Sequence, residues 1–222
     1  MWGRPETDTA RLFESMVLQL MQCGVTWRVV FNKREHFRRA FADYDVKKVA
    51  AFSKRKVEAL MAMPSGTIIR NRNKINAVVN NAKLIVAMDA EAGAGAGAGA
   101  GTGAGAGAGT PSFADFIWGY CPTNKRERLK VKKSPSGNHM RTNFNAKDYK
   151  NLTESDGVHP TKTVMALSGA LKKRGFKFMG PTTTLSFMQA VGLVNHHGKT
   201  CFAFARNEAE FKARDLRRPR QA

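Results

Sequence analysis

From Asp8 onward, Leu12, Phe13, Met16, Val17, Leu20 and Met21 recur every three or four positions, which puts them on one face of a helix. Asp8 can cap its start and Gly24 stops it. Gln19 falls at the edge of that face, beside Leu12, Met16 and Cys23, so its amide is expected to be at least half buried and in need of partners. Residues 33–44 and 46–63 read as two further helices, ended by Tyr44-Asp45 and by Pro64-Ser65-Gly66. Residues 68–88 place Ile75, Val78, Val79, Ala82, Ile85 and Val86 at helical spacing behind a basic cluster, Arg70, Arg72 and Lys74. Alternating Ala and Gly fill 92–109, which cannot contribute to a core; a flexible loop is expected over 92–110.

The second half resumes the helical pattern. Phe113, Phe116, Ile117 and Trp118 mark a short packing helix over 113–120. Residues 121–155 are rich in Lys and Arg and poor in aliphatics, and read as a solvated basic insertion. Residues 161–174 set Val164, Met165, Leu167, Ala170 and Leu171 on one side, with Lys172, Lys173 and Arg174 in a last turn, where cations suit the helix dipole. Gly175 is a natural C-cap, and Pro181 opens a helix over 182–191, so Phe176 to Gly180 becomes a short hairpin between two helices. The expected architecture is all-α: one domain over 1–222, closed by a basic tail at 207–222.

Charge narrows the partner. The chain carries 37 Lys and Arg against 17 Asp and Glu, a formal net charge of +20, which favours a polyanion and nucleic acid first. No apolar run approaches the roughly 18 residues of a membrane span, so no membrane partner is expected. Three cysteines, Cys23, Cys121 and Cys201, are widely spaced without a C-x-x-C pair, which fits a reducing, intracellular setting.

The hairpin offers the most definite chemistry. Backbone N–H groups around Gly175 and Gly180, together with the N-terminus of the second helix, form an uncharged anion site, and Lys172, Lys173, Arg174 and Lys177 surround it with charge. A nucleic-acid phosphate fits such a site, whose contacts position a duplex without reading its sequence. The same glycines also serve as plain caps of packed helices, so the hairpin alone leaves both readings open.

Several stretches together resemble the DNA-3-methyladenine glycosylase I family. They are Trp2-Gly3-Arg4-Pro5-Glu6-Thr7-Asp8, Leu12-Phe13-Glu14, Gln22-Cys23-Gly24-Val25-Thr26-Trp27, Lys33-Arg34-Glu35, Ile69-Arg70-Asn71-Arg72-Asn73-Lys74-Ile75 and Asn80-Asn81-Ala82. Leu171 through Gly180 and Ser186 through Asn195 complete the set. The resemblance implies a helix-hairpin-helix DNA glycosylase fold, duplex DNA with alkylated bases as partner, and extrusion of the damaged base into a pocket. It implies stacking by Trp27 and base contacts from Ser186 and Trp2. A methylated adenine is cationic and already a good leaving group, so the implied reaction needs no strong nucleophile and no cofactor. No Asp or Glu occurs between Gly175 and Arg206, so the downstream carboxylate of many relatives in the wider superfamily is absent. A monofunctional enzyme without a lyase step, acting as a monomer, is expected.

Two departures stand out. Where the family carries a Glu facing the flipped base, this chain has Gln19, which can still accept a hydrogen bond from the base's amino group but has lost the charge. The family also holds structural zinc through an N-terminal Cys and His and a C-terminal His-x-x-x-Cys. Here His197 and Cys201 keep the second half, His196 stands where Asp is usual, and the chain opens at Met1-Trp2, past the first two ligands. A second reading is therefore a DNA-binding protein that keeps the scaffold without catalysis, and a third is an RNA-binding helical protein.

Overall fold

The structure is a computed structural model of the 222-residue chain, and it describes residues 3–97, 110–121, 162–195, 197 and 201–215. Among these are ten α-helices, and no strand: α1 (Thr9–Gln22), α2 (Trp27–Asn32), α3 (Arg34–Ala40), α4 (Val46–Ala50), α5 (Lys54–Met61), α6 (Arg72–Gly97), α7 (Phe113–Gly119), α8 (Lys162–Lys173), α9 (Pro181–Ala190) and α10 (Phe202–Asp215). The expected all-α class holds. The basic segment 121–155 lies outside the described residues except for Cys121, as do Trp2, His196, residues 98–109 and residues 216–222.

Helix α1 is the axis of the domain. Asp8 caps it by accepting from the Arg11 N–H at 2.9 Å, a bond of the kind worth about 1 kcal/mol. The predicted stripe of Leu12, Phe13, Met16, Val17, Leu20 and Met21 is buried, and α2, α4, α6, α7 and α9 all pack against this helix. The resulting core is continuous from Leu12 through Phe37, Ile75 and Ile117 to Phe187 and Phe211.

Local chemistry moves several helix boundaries. The helix expected over 33–44 stops at Ala40, and Ala42, Asp43 and Tyr44 turn through left-handed backbone, with φ of 50°, 55° and 61°. That turn carries Tyr44 into the core beneath Arg38, 6.0 Å from ring centroid to guanidinium, and burial pushes its phenol pKa upward. The helix expected over 46–63 is two helices, because Asp45 caps one by accepting from the Lys48 N–H and Ser53 caps the next by accepting from the Lys56 N–H. Asn71 accepts from the Lys74 N–H, so α6 starts four residues later than the hydrophobic pattern suggests. At its other end α6 continues through Gly97, so the start of the Ala-Gly run is helical rather than loop.

The basic tail expected from 207 is also corrected. Residues 202–215 form α10, which buries Asn207 and Phe211 and sets Phe211 edge-on to Trp118 with 6.4 Å between ring centroids. Its inward positions, Ala203, Asn207 and Phe211, are spaced four residues apart but hold only one large apolar side chain, so the surrounding charges hide them in the sequence. An ion pair between Arg4 and Glu210, 3.0 Å long, ties this helix to the N-terminal segment.

That segment is pinned along the end of α9. The Gly3 N–H donates to the Ala190 carbonyl and the Glu6 N–H to that of Val191, while Trp118 Nε1 donates to the Glu6 carbonyl at 2.6 Å. Gly192 makes this approach feasible: φ is +73°, and a Cβ there would lie 2.4 Å from the Arg4 carbonyl carbon.

Candidate DNA-binding and base-recognition site

The hairpin forms as expected, by a specific termination. The Gly175 N–H donates to the Lys172 carbonyl and the Phe176 N–H to that of Leu171, each at 3.0 Å, which is the Schellman pattern, with Gly175 at φ +89°. Phe178, at the tip, also adopts left-handed backbone, φ 59°, and its ring is 40% exposed. Gly180 is the N-cap of α9 in extended conformation, Pro181 occupies the first turn, and no side chain caps the helix. The α9 N-terminus thus presents N–H groups without a side-chain acceptor.

Four side chains outside the hairpin hold its backbone. Asn81, buried on α6, grips Lys177 from both sides: its Oδ1 accepts from the Lys177 N–H at 2.8 Å and its Nδ2 donates to the Lys177 carbonyl at 3.0 Å. Asn80 Nδ2 donates to the Gly175 carbonyl at 3.0 Å. Ser168 from α8 and Thr184 from α9 both donate to the Met179 carbonyl, at 2.9 and 3.1 Å. Phe176 stacks on Phe113 below, centroids 6.0 Å apart. In the sequence the two asparagines are visible only as part of a motif; a backbone clamp across 96 positions leaves no periodic signal.

The four predicted cations, Lys172, Lys173, Arg174 and Lys177, are all exposed around the hairpin, and the Arg174 guanidinium also lies 4.7 Å from the centroid of the Phe116 ring. The Lys177 N–H is already given to Asn81, which leaves its side chain as the part facing a ligand. Lys74, grouped in the sequence with Arg70 and Arg72, is instead buried: its Nζ donates to the carbonyls of Met21 and Cys23 at 2.8 and 2.5 Å, closing the C-terminal end of α1. Burial lowers its pKa, against a smaller opposing effect of Cys23.

Gln19 sits one turn before this end. It is only 2% exposed, deeper than expected, and its amide oxygen is buried without a hydrogen-bond partner. An unsatisfied buried acceptor costs about 1–3 kcal/mol, so this oxygen is short of a donor. Cys23 Sγ donates to the Gln19 carbonyl at 3.6 Å and lies 3.4 Å from Thr183 Oγ1, so the end of α1 and the first turn of α9 meet here. Trp27 opens α2, half-buried and packed on the core, and Ser186 is half-buried on α9, one turn after Thr183. The three described residues expected from the sequence to contact a base therefore stand on α1, α2 and α9, and α1 packs against both others.

The zinc ligands fit only in part. His197 Nδ1 and Cys201 Sγ are 3.6 Å apart, and His197 Nε2 is buried without a partner, close to where Gly3 passes. Among the described residues no group of three or more His, Cys, Asp or Glu could hold a metal. Two donors fall short of the four a structural zinc site uses, and no step depends on one. None of the three cysteines is in a disulfide.

A helical domain with a basic, clamped hairpin between two helices defines the class: an all-α, helix-hairpin-helix protein. The methyladenine glycosylase family pattern matches residues 1–96 and 106–204, and the chain belongs to that family. The match breaks within the Ala-Gly run and continues through 121–155. DNA-3-methyladenine glycosylase 1 of Escherichia coli (strain K12) is 35% identical over 207 residues, covering 93% of this chain and 89% of that protein. DNA-3-methyladenine glycosylase of Haemophilus influenzae is 35% identical over 202 residues, with 90% and 86% covered. A crystal structure of 3-methyladenine DNA glycosylase I superposes with a TM-score of 0.64 at 35% identity, covering 90% of this chain and 88% of that one. The Staphylococcus aureus enzyme, solved to explain its recognition of 3-methyladenine, gives 0.65 at 26% identity, with 91% and 86% covered.

Proposed function

We infer that this chain is a DNA base-excision repair glycosylase that releases 3-methyladenine flipped out of duplex DNA, hydrolysing the N-glycosidic bond without a lyase step. The observation that carries the reading is the orphaned, buried amide oxygen of Gln19. It would accept a hydrogen bond from the exocyclic amino group of the extruded base, Trp27 would stack on the ring, and Ser186 and Trp2 would complete its surroundings. Lys172, Lys173, Arg174 and Lys177, with the uncapped N-terminus of α9 at Gly180, would hold phosphate; the Gly175 N–H, expected from the sequence to contribute, is instead spent on the Lys172 carbonyl. Methylation makes the base cationic, so the C1′–N9 bond breaks with its electron pair going to the base. Water then adds its oxygen to C1′ and gives up a proton, and neutral 3-methyladenine leaves. The hydrogen bond to Gln19 and stacking on Trp27 act on the departing base, so no nucleophilic side chain is needed. The chain is proposed to act as a monomer and without a cofactor.

Gln19 also favours a second reading, because an amide in place of a carboxylate gives no charge attraction to a cationic base: a DNA-binding relative that does not release it. Two measurements separate these readings: release of free 3-methyladenine from methylated DNA, and duplex binding at two salt concentrations. Release well above the spontaneous rate supports the glycosylase. Salt-sensitive binding with no release supports the second reading.

A further inference from the structure

Between α5 and α6 runs a groove of about 420 Å³ to which neither the base site nor the hairpin cations contribute. Its apolar lining is Phe52, Val57 and Val79, its polar groups come from Ser53, Asn76 and Asn80, and Lys54, Arg72 and Lys83 supply positive charge. Among the described residues that line it, Glu58 is the one carboxylate; Arg72 holds it in a two-pronged ion pair that keeps its pKa low, so that pair is neutral and Lys54 and Lys83 leave the groove net positive. Apolar surface bordered by cations and amides matches a sugar-phosphate backbone, in which apolar sugar edges alternate with anionic phosphates. The groove is also joined to the hairpin: Asn80, which lines it, is the residue whose Nδ2 holds the Gly175 carbonyl.

We propose that this α5–α6 groove binds a second stretch of DNA backbone, continuing the phosphate track from the hairpin along α6, with Lys54 and Lys83 as its phosphate contacts. This rests on the DNA-binding part of the reading above. Each neutralised phosphate contributes roughly −0.9 to the slope of log affinity against log salt, so two contacts contribute about −1.8. At about 0.1 M salt that corresponds to up to roughly sixtyfold in affinity.

The test is binding of an undamaged duplex across a salt series by the full chain and three double variants. Lys54→Gln with Lys83→Gln should flatten the slope by about 1.8 and weaken binding by tenfold or more, with unchanged circular dichroism, since both side chains are exposed. Arg206→Gln with Lys212→Gln removes the same charge from exposed positions of α10, outside the groove, and should move the slope far less. Lys172→Gln with Lys173→Gln reports on the hairpin. An unchanged slope for the groove variant, or an equal change in the α10 control, overturns the groove assignment. If the hairpin variant alone responds, DNA binding stands and the groove falls; if the unaltered chain binds no duplex, both fall.

Discussion

Asn81→Ala should loosen the hairpin more than any other single polar truncation around it. The side chain is buried, 1% exposed, and makes two hydrogen bonds to Lys177, at 2.8 and 3.0 Å. At about 0.5–1.5 kcal/mol net for each bond, their loss costs roughly 1–3 kcal/mol. The space left by a buried amide adds about 1 kcal/mol, for a total near 2–4 kcal/mol. Asn80→Ala gives the comparison: that side chain is half-buried and makes one bond to the hairpin, so its loss should cost about 1 kcal/mol. Urea unfolding followed by circular dichroism measures both, read as a shift in midpoint at constant slope. Duplex affinity should fall in folded Asn81→Ala, because the Lys177 backbone is no longer fixed, while the salt slope stays, because every cation remains. Equal destabilisation by the two variants, or full duplex affinity in Asn81→Ala, would refute the clamp.

Gln19→Glu should raise single-turnover release of 3-methyladenine about fivefold, since a charge-assisted hydrogen bond is worth roughly 1 kcal/mol more than a neutral one. The cost is a buried carboxylate, seen as a lower unfolding midpoint; an unchanged or lower rate in folded protein removes Gln19 from the base site. Gly192→Ala should cost more than about 3 kcal/mol, because its Cβ would meet Arg4 backbone at 2.4 Å, whereas Gly175→Ala, whose nearest neighbour would be Leu84 Cδ1 at 3.7 Å, should cost only the left-handed strain of about 1–2 kcal/mol. Similar losses in denaturant unfolding would contradict the docked N-terminal segment. Phe178→Gly should be about 1 kcal/mol more stable than Phe178→Ala, since both lose the exposed ring and only glycine relieves the strain at φ 59°. The reverse order in urea would show that this turn is unstrained.

Periodicity carried the core because the burial of α1 follows its 3.6-residue repeat: each of Leu12, Phe13, Met16, Val17, Leu20 and Met21 faces inward. It failed where a short polar side chain ended a helix inside an otherwise continuous apolar pattern, at Ser53 and Asn71, since a cap competes locally with the pattern around it. Arg70, Arg72 and Lys74 look equivalent in the sequence, yet Lys74 points inward because two carbonyls at the end of α1 need a donor. The hairpin is legible through Gly175, Gly180 and Pro181, whose backbone preferences are local. Asn81 is not legible as a clamp, because its partner lies in another helix pair and the bond depends on how α6 and α8 meet. Gln19 falls on α1 as the pattern requires, but its depth and its orphaned oxygen depend on the packing of neighbouring helices.

The clamps on the hairpin have a consequence for how this chain tolerates growth. Because Asn80 and Asn81 tie α6 directly to Gly175 and Lys177, the geometry of the hairpin is set by these contacts and not by the path joining the two segments. Lengthening that path costs only loop-closure entropy, which rises with the logarithm of length, about 0.6 kcal/mol for each doubling. The family match breaks between 96 and 106, inside the Ala-Gly run, and that break falls between the two halves of the clamp. Extra residues there should cost little and leave the register of Asn81 on Lys177 untouched, so the connection is a place where this protein can be extended, tagged or joined to another domain without moving its hairpin.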